Sequence, residues 1–264
     1  MSRFLFVGLL FLPIGCVQMS FIRTDHLSHA WLRAAPCVHL LLTRSRSRSH
    51  TLTLSLSRSL VLLRHFNNLM KRMGDDDVNV RPLFGGAITM AMPGRFTDIS
   101  QVRQVPDNQE VFADPSTDQS FIVEILEIPP DAPDADAASF HFGVIASEGG
   151  AVEAQLETQT QQQAAMDGAL QRTVTWGVQT VGKHRDRADK ANQVRVYVAC
   201  FRSHEAGADI VVSFNSPTSI NQASAAARNV DQVRMNVYNT PEAAQQVFAG
   251  AIDTFHIANW GLFG

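Results

Sequence analysis

Three stretches between residues 172 and 215 alternate apolar and polar residues with a period of two, and this pattern constrains the fold more than any other feature. In RTVTWGVQTVGK (172–183), Val174, Trp176 and Val178 point one way while Thr173, Thr175 and Gln179 point the other. In QVRVYVACF (193–201), Val194, Val196, Val198 and Cys200 alternate with Arg195, Tyr197 and Phe201. In ADIVVSFN (208–215), Ile210, Val212 and Phe214 alternate with Val211 and Ser213. Strict alternation predicts antiparallel strands with one buried face each. The links HRDRADKAN and RSHEAGAD are polar, as hairpin loops are. Upstream, SFIVEILEI (120–128) is almost continuously apolar and reads as a central strand. QEVFAD begins another strand. LFGGAITMAM (83–92) is a further one, its Gly85 and Gly86 marking an irregular start or a close backbone approach.

Helical signals flank these strands. TDISQVRQ (97–104) reads as one or two helical turns with Thr97 or Asp98 as N-cap. Residues 135–147 predict a helix with Ala137, Phe140, Val144 and Ser147 on one face. The glutamine-rich AQLETQTQQQAA (154–165) reads as helix, and a short helix is expected over 220–228. A last helix is capped by Thr240, with Pro241 at its first position and Glu242 in its first turn. Its apolar stripe is Ala244, Phe248, Ala251, Ile252 and Phe255. Strands bunched in the middle with helices at the ends predict an α+β domain, a mostly antiparallel sheet flanked by helices.

The net charge of −3 hides a split. Residues 1–73 carry ten Lys and Arg against one acid, Asp25, which leaves 12 basic and 24 acidic residues in 74–264. A +9 tail therefore precedes a −12 body. An acidic body lacks the basic footprint that nucleic acid requires, and it suits a positively charged protein partner. Of Cys16, Cys37 and Cys200, only Cys200 lies in the body, which speaks against a disulfide framework there. No apolar run reaches the ~18 residues of a membrane span, so no membrane insertion of the body is expected. Residues 1–73 read as an extension to the domain and admit three accounts. FLFVGLLFLPIG (4–15) resembles a secretory apolar core, and the Arg- and Ser-rich remainder resembles an organellar transit peptide. RSRSRSHTLTLSLSRSL (44–60) also matches what a translated CT repeat would encode, with Met70 or Met73 as the start.

Familiar catalytic patterns are incomplete. GVQTVGKH (177–184) matches the glycine spacing of a phosphate loop but ends in His, not Ser or Thr, and lies inside an alternating strand. Cys200 and His204 have C-x-x-x-H spacing without a second ligand pair, so a buried structural Cys200 is expected. His141, His184, His204 and His256 are scattered, and His141 reads as the edge of a packed core. The cluster KHRDRADK (183–190) reads as a solvated hairpin tip. Asp107 and Glu110 stand three apart on the shoulder of a strand, in VPDNQEVF. An acid–base couple needs a pocket and a further group, and a metal needs more oxygens than these two and Asp114 supply. A turn with Pro106 in its second position explains Pro106, Asp107 and Asn108 but leaves Glu110 unexplained.

The pattern LFGGAI, MP..F.DIS..RQVPDNQEVFAD and SFIVEILE, with AASFHFGVIA and a terminal F.IANWGLFG, closely resembles the Mog1 family of Ran guanine nucleotide release factors. It spans 81–264. The resemblance implies a Mog1/PsbP-like α+β sandwich that needs no cofactor. It also implies a regulator that binds the small GTPase Ran in nucleus and cytoplasm, stimulates nucleotide release and supports nuclear import; a monomer is expected. In the family the acids of this block belong to the Ran-binding surface. They map onto Asp107 and Glu110, with Asn108, Gln109 and Phe112 as neighbours. A PsbP-like lumenal photosystem subunit and a Ran adaptor without exchange activity are the competing readings. The +9 extension is a departure that leaves room for an organellar address.

Overall fold

The alternating stretches form the strands they predict. The computed structural model describes residues 19–20, 31–34, 38–41, 60–68, 77–158, 161–164, 170–182 and 190–264. The chain divides into two compact units, Met1–Leu52 and Thr53–Gly264. The first contains a three-stranded antiparallel sheet of β1 (Met19–Ser20), β2 (Trp31–Ala34) and β3 (Val38–Leu41). The apolar run 4–15, the CT-like repeat up to residue 59 and both candidate start methionines lie outside the described residues.

In the second unit, α1 covers residues 60–68, and its Phe66 is buried against the main core. A hairpin follows, of β4 (Val78–Leu83) and β5 (Ile88–Pro93). Its third partner is the short C-terminal strand β14 (His256–Ile257). The large sheet contains β6 (Thr97–Asp98), β7 (Gln109–Asp114), β8 (Gln119–Glu127), β9 (Ala151–Leu156), β10 (Gln161–Ala164), β11 (Gln171–Val181), β12 (Asn192–Ser203) and β13 (Ala208–Ser219). Their order is β10-β11-β12-β13-β8-β7-β6, with β9 also on β11, and every pairing is antiparallel.

Two helices cover opposite faces. On one, α2 (Ala137–Glu148) packs Ala138 and Phe142 against Val196, Val198, Cys200 and Val211. On the other, α4 (Pro241–Asp253) and the hairpin sheet bury Phe248, Ile252, Met90 and Ile88 against Tyr197, Phe201, Phe214 and Phe121. The expected cap of α4 is present, Thr240 Oγ1 accepting from Ala243 N at 3.2 Å. Short α3 (Gln232–Tyr238) is capped by Asp231.

The sheet centre is therefore buried on both faces, where alternation predicted one. The polar residues that suggested a solvent face are hydrogen-bonded inside. Thr173 Oγ1 accepts from Ala138 N at 3.1 Å, and Gln179 Nε2 donates to Phe142 O at 3.4 Å. On α2 the inward residues are Ala137, Ala138, His141, Phe142 and Ala146, so the expected face of Phe140, Val144 and Ser147 is rotated outward. The glutamine-rich segment contributes β9 and β10, not a helix, because the edge of β11 offers a ladder that outweighs the helical preference of Gln and Ala. Gly177 faces this edge, and a Cβ there would strike Gln155 O and the Phe142 ring. The glycine of the apparent phosphate loop is thus a packing glycine.

The deepest polar group under α2 is Asp209. It accepts from Arg202 Nε at 2.7 Å and Arg202 Nη2 at 2.8 Å. Its Oδ2 also lies 2.8 Å from His141 Nε2, which carries the proton because an ionised carboxylate only accepts. Burial pushes the Asp209 carboxyl up, but the Arg202 and His141 bonds outweigh this and hold it at about 2. A carboxyl held below its unfolded value contributes stability that is present above that value and lost as the pH falls through the folded one. The chain is expected to lose on the order of 2 kcal/mol from this group between pH ~5 and ~2. Asp209→Asn is expected to be less stable at neutral pH, with the buried Arg202 guanidinium losing its two-bond carboxylate and keeping only Asp134 and Ala132 O, and to show a shallower acid limb. Denaturant unfolding across pH checks this, and an unaltered acid limb in the variant contradicts it.

Candidate functional site

VPDNQEVF sits where the chain enters the large sheet, and strand parity decides which of its side chains are presented. Thr97 and Asp98 pair with Ala113 and Phe112, and Ile99 N donates to Val111 O at 2.9 Å. The expected helix over 97–104 is instead the end of β6 and one turn. Asp98 Oδ1 accepts from Ser100 N at 2.8 Å, and Ile99 O accepts from Val102 N at 2.9 Å and Arg103 N at 3.0 Å. The Asp98 side chain competes with a helical ladder for the backbone donors here. The turn into β7 is closed by Gln109 N donating to Pro106 O at 2.9 Å, so Pro106 is its first residue, not its second.

Within that turn Asp107 is exposed. Asn108 is tied to the end of β8: its carbonyl accepts from Ile125 N at 2.9 Å and its Nδ2 donates to Ile125 O at 3.3 Å. Gln109 lies opposite Glu124 and donates to it from Nε2. Burial pushes the Glu124 carboxyl up, and the Gln109 bond draws it partly back.

Glu110 is the residue the turn left unexplained. With Phe112 it lies on the strand face that looks toward the hairpin sheet, and its Oε1 accepts from Phe84 N at 2.7 Å. Phe84 opens a short 3-10 turn, Phe84–Gly86. All three residues have positive φ: 49° at Phe84, 66° at Gly85 and 91° at Gly86. A bulky residue pays for this backbone, and Glu110 binds the amide of that residue. Phe112, at 4% exposure, is a core side chain opposite Phe121 and presents no side-chain surface to a partner.

Asp107 and Glu110 thus have different environments and do not form a couple. Asp114 is already committed, accepting from Ser116 N at 2.9 Å, Ser116 Oγ at 2.6 Å and Thr117 Oγ1 at 2.8 Å. Arg95 Nε lies 3.3 Å from its Oδ2. No three-acid metal set arises from Asp107, Glu110 and Asp114. His204 is drawn away to Asp134, at 2.9 Å, and does not meet Cys200. Cys200 instead lies with His141 and Asp209, ligand atoms within 4.8 Å of one another. Both Asp209 oxygens already hold the Arg202 guanidinium, which would oppose a cation. Burial drives the Cys200 thiol strongly upward, as expected for a structural cysteine. His184 and most of KHRDRADK lie outside the described residues.

One cleft, of about 300 Å³, is lined by Ile145, Gln179, Val194 and Asn215, and another, of about 500 Å³, by Glu157, Arg195, Met235 and Pro241. Neither includes a residue of VPDNQEVF. In the second, Arg195 is closed off by a two-bond pair with Glu157 at 2.9 and 2.7 Å.

An antiparallel sheet with α2 on one face and α4 with a hairpin sheet on the other defines an α+β sandwich whose acid-bearing turn is a surface feature, not a pocket. The model of the family described as Ran-interacting Mog1 protein matches residues 81–217, just over half of the chain. The chain is 36% identical over 191 residues to the Ran guanine nucleotide release factor of Danio rerio, covering 70% of this chain and 99% of that one. It is 35% identical over 153 residues to the Homo sapiens protein of the same name, covering 56% and 81%. The crystal structure of the Saccharomyces cerevisiae Ran-binding protein Mog1p superposes with a TM-score of 0.53 at 25% identity, over 72% of this chain and 100% of that one. The chain belongs to the Mog1 family.

The two acids separate by stability. Asp107→Lys is expected to leave unfolding within about 0.5 kcal/mol of wild type. Glu110→Ala, which leaves the Phe84 amide unpaired, is expected to cost about 1–2 kcal/mol. Equal melts for both variants would contradict the assignment of Glu110 to the Phe84 turn.

Proposed function

We propose that this chain binds the small GTPase Ran and promotes release of its guanine nucleotide, as a regulatory binding protein that supports nuclear import from nucleus and cytoplasm. Family membership carries this reading. The physical features that support it are the −12 body and an exposed acid, Asp107, on a turn braced by the β7–β8 ladder. Such a turn offers a basic partner a fixed negative charge at little conformational cost. Asn108 and Gln109 hold the turn in place, Glu110 backs it from the core side, and Phe112 anchors the strand.

Release requires more than contact. A binder speeds nucleotide loss only by favouring the nucleotide-free state over the loaded one, and by linkage the nucleotide weakens the binder equally. A carboxylate that competes for basic groups around the phosphates is one source of such a preference. Release of labelled GTP and GDP from Ran is expected to accelerate on the order of tenfold with the wild-type chain, and Asp107→Lys is expected to lose most of that effect while its melt holds. Wild-type binding to Ran with an unaltered release rate would replace the exchange reading with that of an adaptor.

A further inference from the structure

The turn at Phe84–Gly86 is pinned from two sides by residues distant in sequence. Upstream, Phe84 N is bound by Glu110 at 2.7 Å. Downstream, Ala87 O accepts from Ala258 N at 2.8 Å and Asn259 N at 3.1 Å, so the C-terminal segment is tied to the same turn. Between the pins, Gly85 is exposed, and a Cβ built on Gly85 or Gly86 would meet nothing within 4 Å. The glycines are therefore there for their backbone angles, 66° and 91°, not for want of space. The open space is on the outside, where another chain could approach the backbone. Trp260, next after the tethered Asn259, is 37% exposed, with its ring 5.7 Å from Phe263. A part-exposed aromatic on a segment tied to that turn is the kind of anchor that interfaces favour.

We propose that the Phe84–Gly86 turn and Trp260 extend the GTPase-docking surface that begins at Asp107, and that Glu110 serves this surface by holding the turn, not by meeting a basic side chain itself. This rests on the reading of the chain as a Ran-binding protein. Asp107 supplies charge to a basic rim of the partner. The Gly85–Gly86 backbone and the Trp260 ring supply a neutral and apolar contact, tied to the Asp107 block through Glu110. Glu110 is a positioning residue: its carboxylate is half-buried, faces the core side of β7 and is occupied by the Phe84 amide.

Charge and hydrogen bonding at residue 110 can be separated, because the amide oxygen of Gln accepts as a carboxylate does but carries no charge. Affinity for Ran loaded with a labelled guanine nucleotide is measured for the full chain and four variants, well below their melting temperatures. Asp107→Lys is expected to weaken binding at least about tenfold. Glu110→Ala is expected to weaken it by about tenfold, the equivalent of one lost charged hydrogen bond. Glu110→Gln is expected to restore most of that loss. Gly86→Ala is expected to match Glu110→Ala, through its backbone alone. Amide exchange at Phe84 is expected to rise in Glu110→Ala and not in Glu110→Gln, while core amides of β12 stay protected. If Asp107→Lys weakens binding and Glu110→Gln is as poor as Glu110→Ala, Glu110 meets Ran by its charge, and the positioning role is overturned while the docking reading stands. If Gly86→Ala binds as wild type, the turn is not part of the surface. If Asp107→Lys binds as wild type, the docking reading itself fails.

Discussion

The register of β7 on β8 determines what this protein shows to a partner. Glu110 stands opposite Val123 and Phe112 opposite Phe121, so both face the hairpin sheet, while Gln109 stands opposite Glu124 on the other side. A slip of one residue would exchange the two sets. It would put Phe112 outside, strip Phe84 of its amide's acceptor and turn Glu110 to solvent. The aromatic cluster under β7 and β8 makes the observed register the stable one. Phe121 and Phe214 are stacked at 4.4 Å between ring centres, and Phe96 meets each of them edge-on. This packing of apolar rings fixes the position of an acid several residues away.

Much of the sheet was legible because alternation is a local signal. The strands around 120–128, 172–183, 193–201 and 208–215 were visible, and so was α4, whose Thr240 cap and Pro241 start are written in adjacent residues. What alternation could not reveal was a second buried face. Thr173, Gln179, Arg202 and Asp209 look like solvent residues in a string of letters, but α2 gives Thr173 and Gln179 partners inside, and Arg202 and Asp209 hold each other across the β12–β13 ladder. Strand β4 carries little local signal, because its Val78, Val80 and Pro82 lie next to an acidic run and only the return of β5 pairs them. The glutamine-rich edge was misread for the same reason: its partner, β11, comes later in the chain.

The site was half legible. The sequence singled out Asp107 and Glu110 together, and a turn explained the first. The second was set apart only because the turn did not need it. Its partner, Phe84, lies 26 residues upstream, and the only hint was the Gly85–Gly86 pair, a sign of unusual backbone without a sign of its purpose. Phe112 is adjacent to the acids in sequence, but strand parity turns it into the core. The turn at 106–109 was legible from local chemistry, whereas the bond from Glu110 to Phe84 spans 26 residues and leaves no local signal.

On the proposed reading, the sandwich presents a charged turn and an open glycine turn linked through Glu110, and a GTPase partner would contact both. Chemical-shift mapping of the isotope-labelled chain titrated with Ran tests this most directly. The account predicts that perturbed amides cluster at residues 84–87, 106–110 and 258–263. Perturbations confined to the clefts lined by Gln179 and Asn215 or by Arg195 and Met235, with these three segments silent, would contradict it.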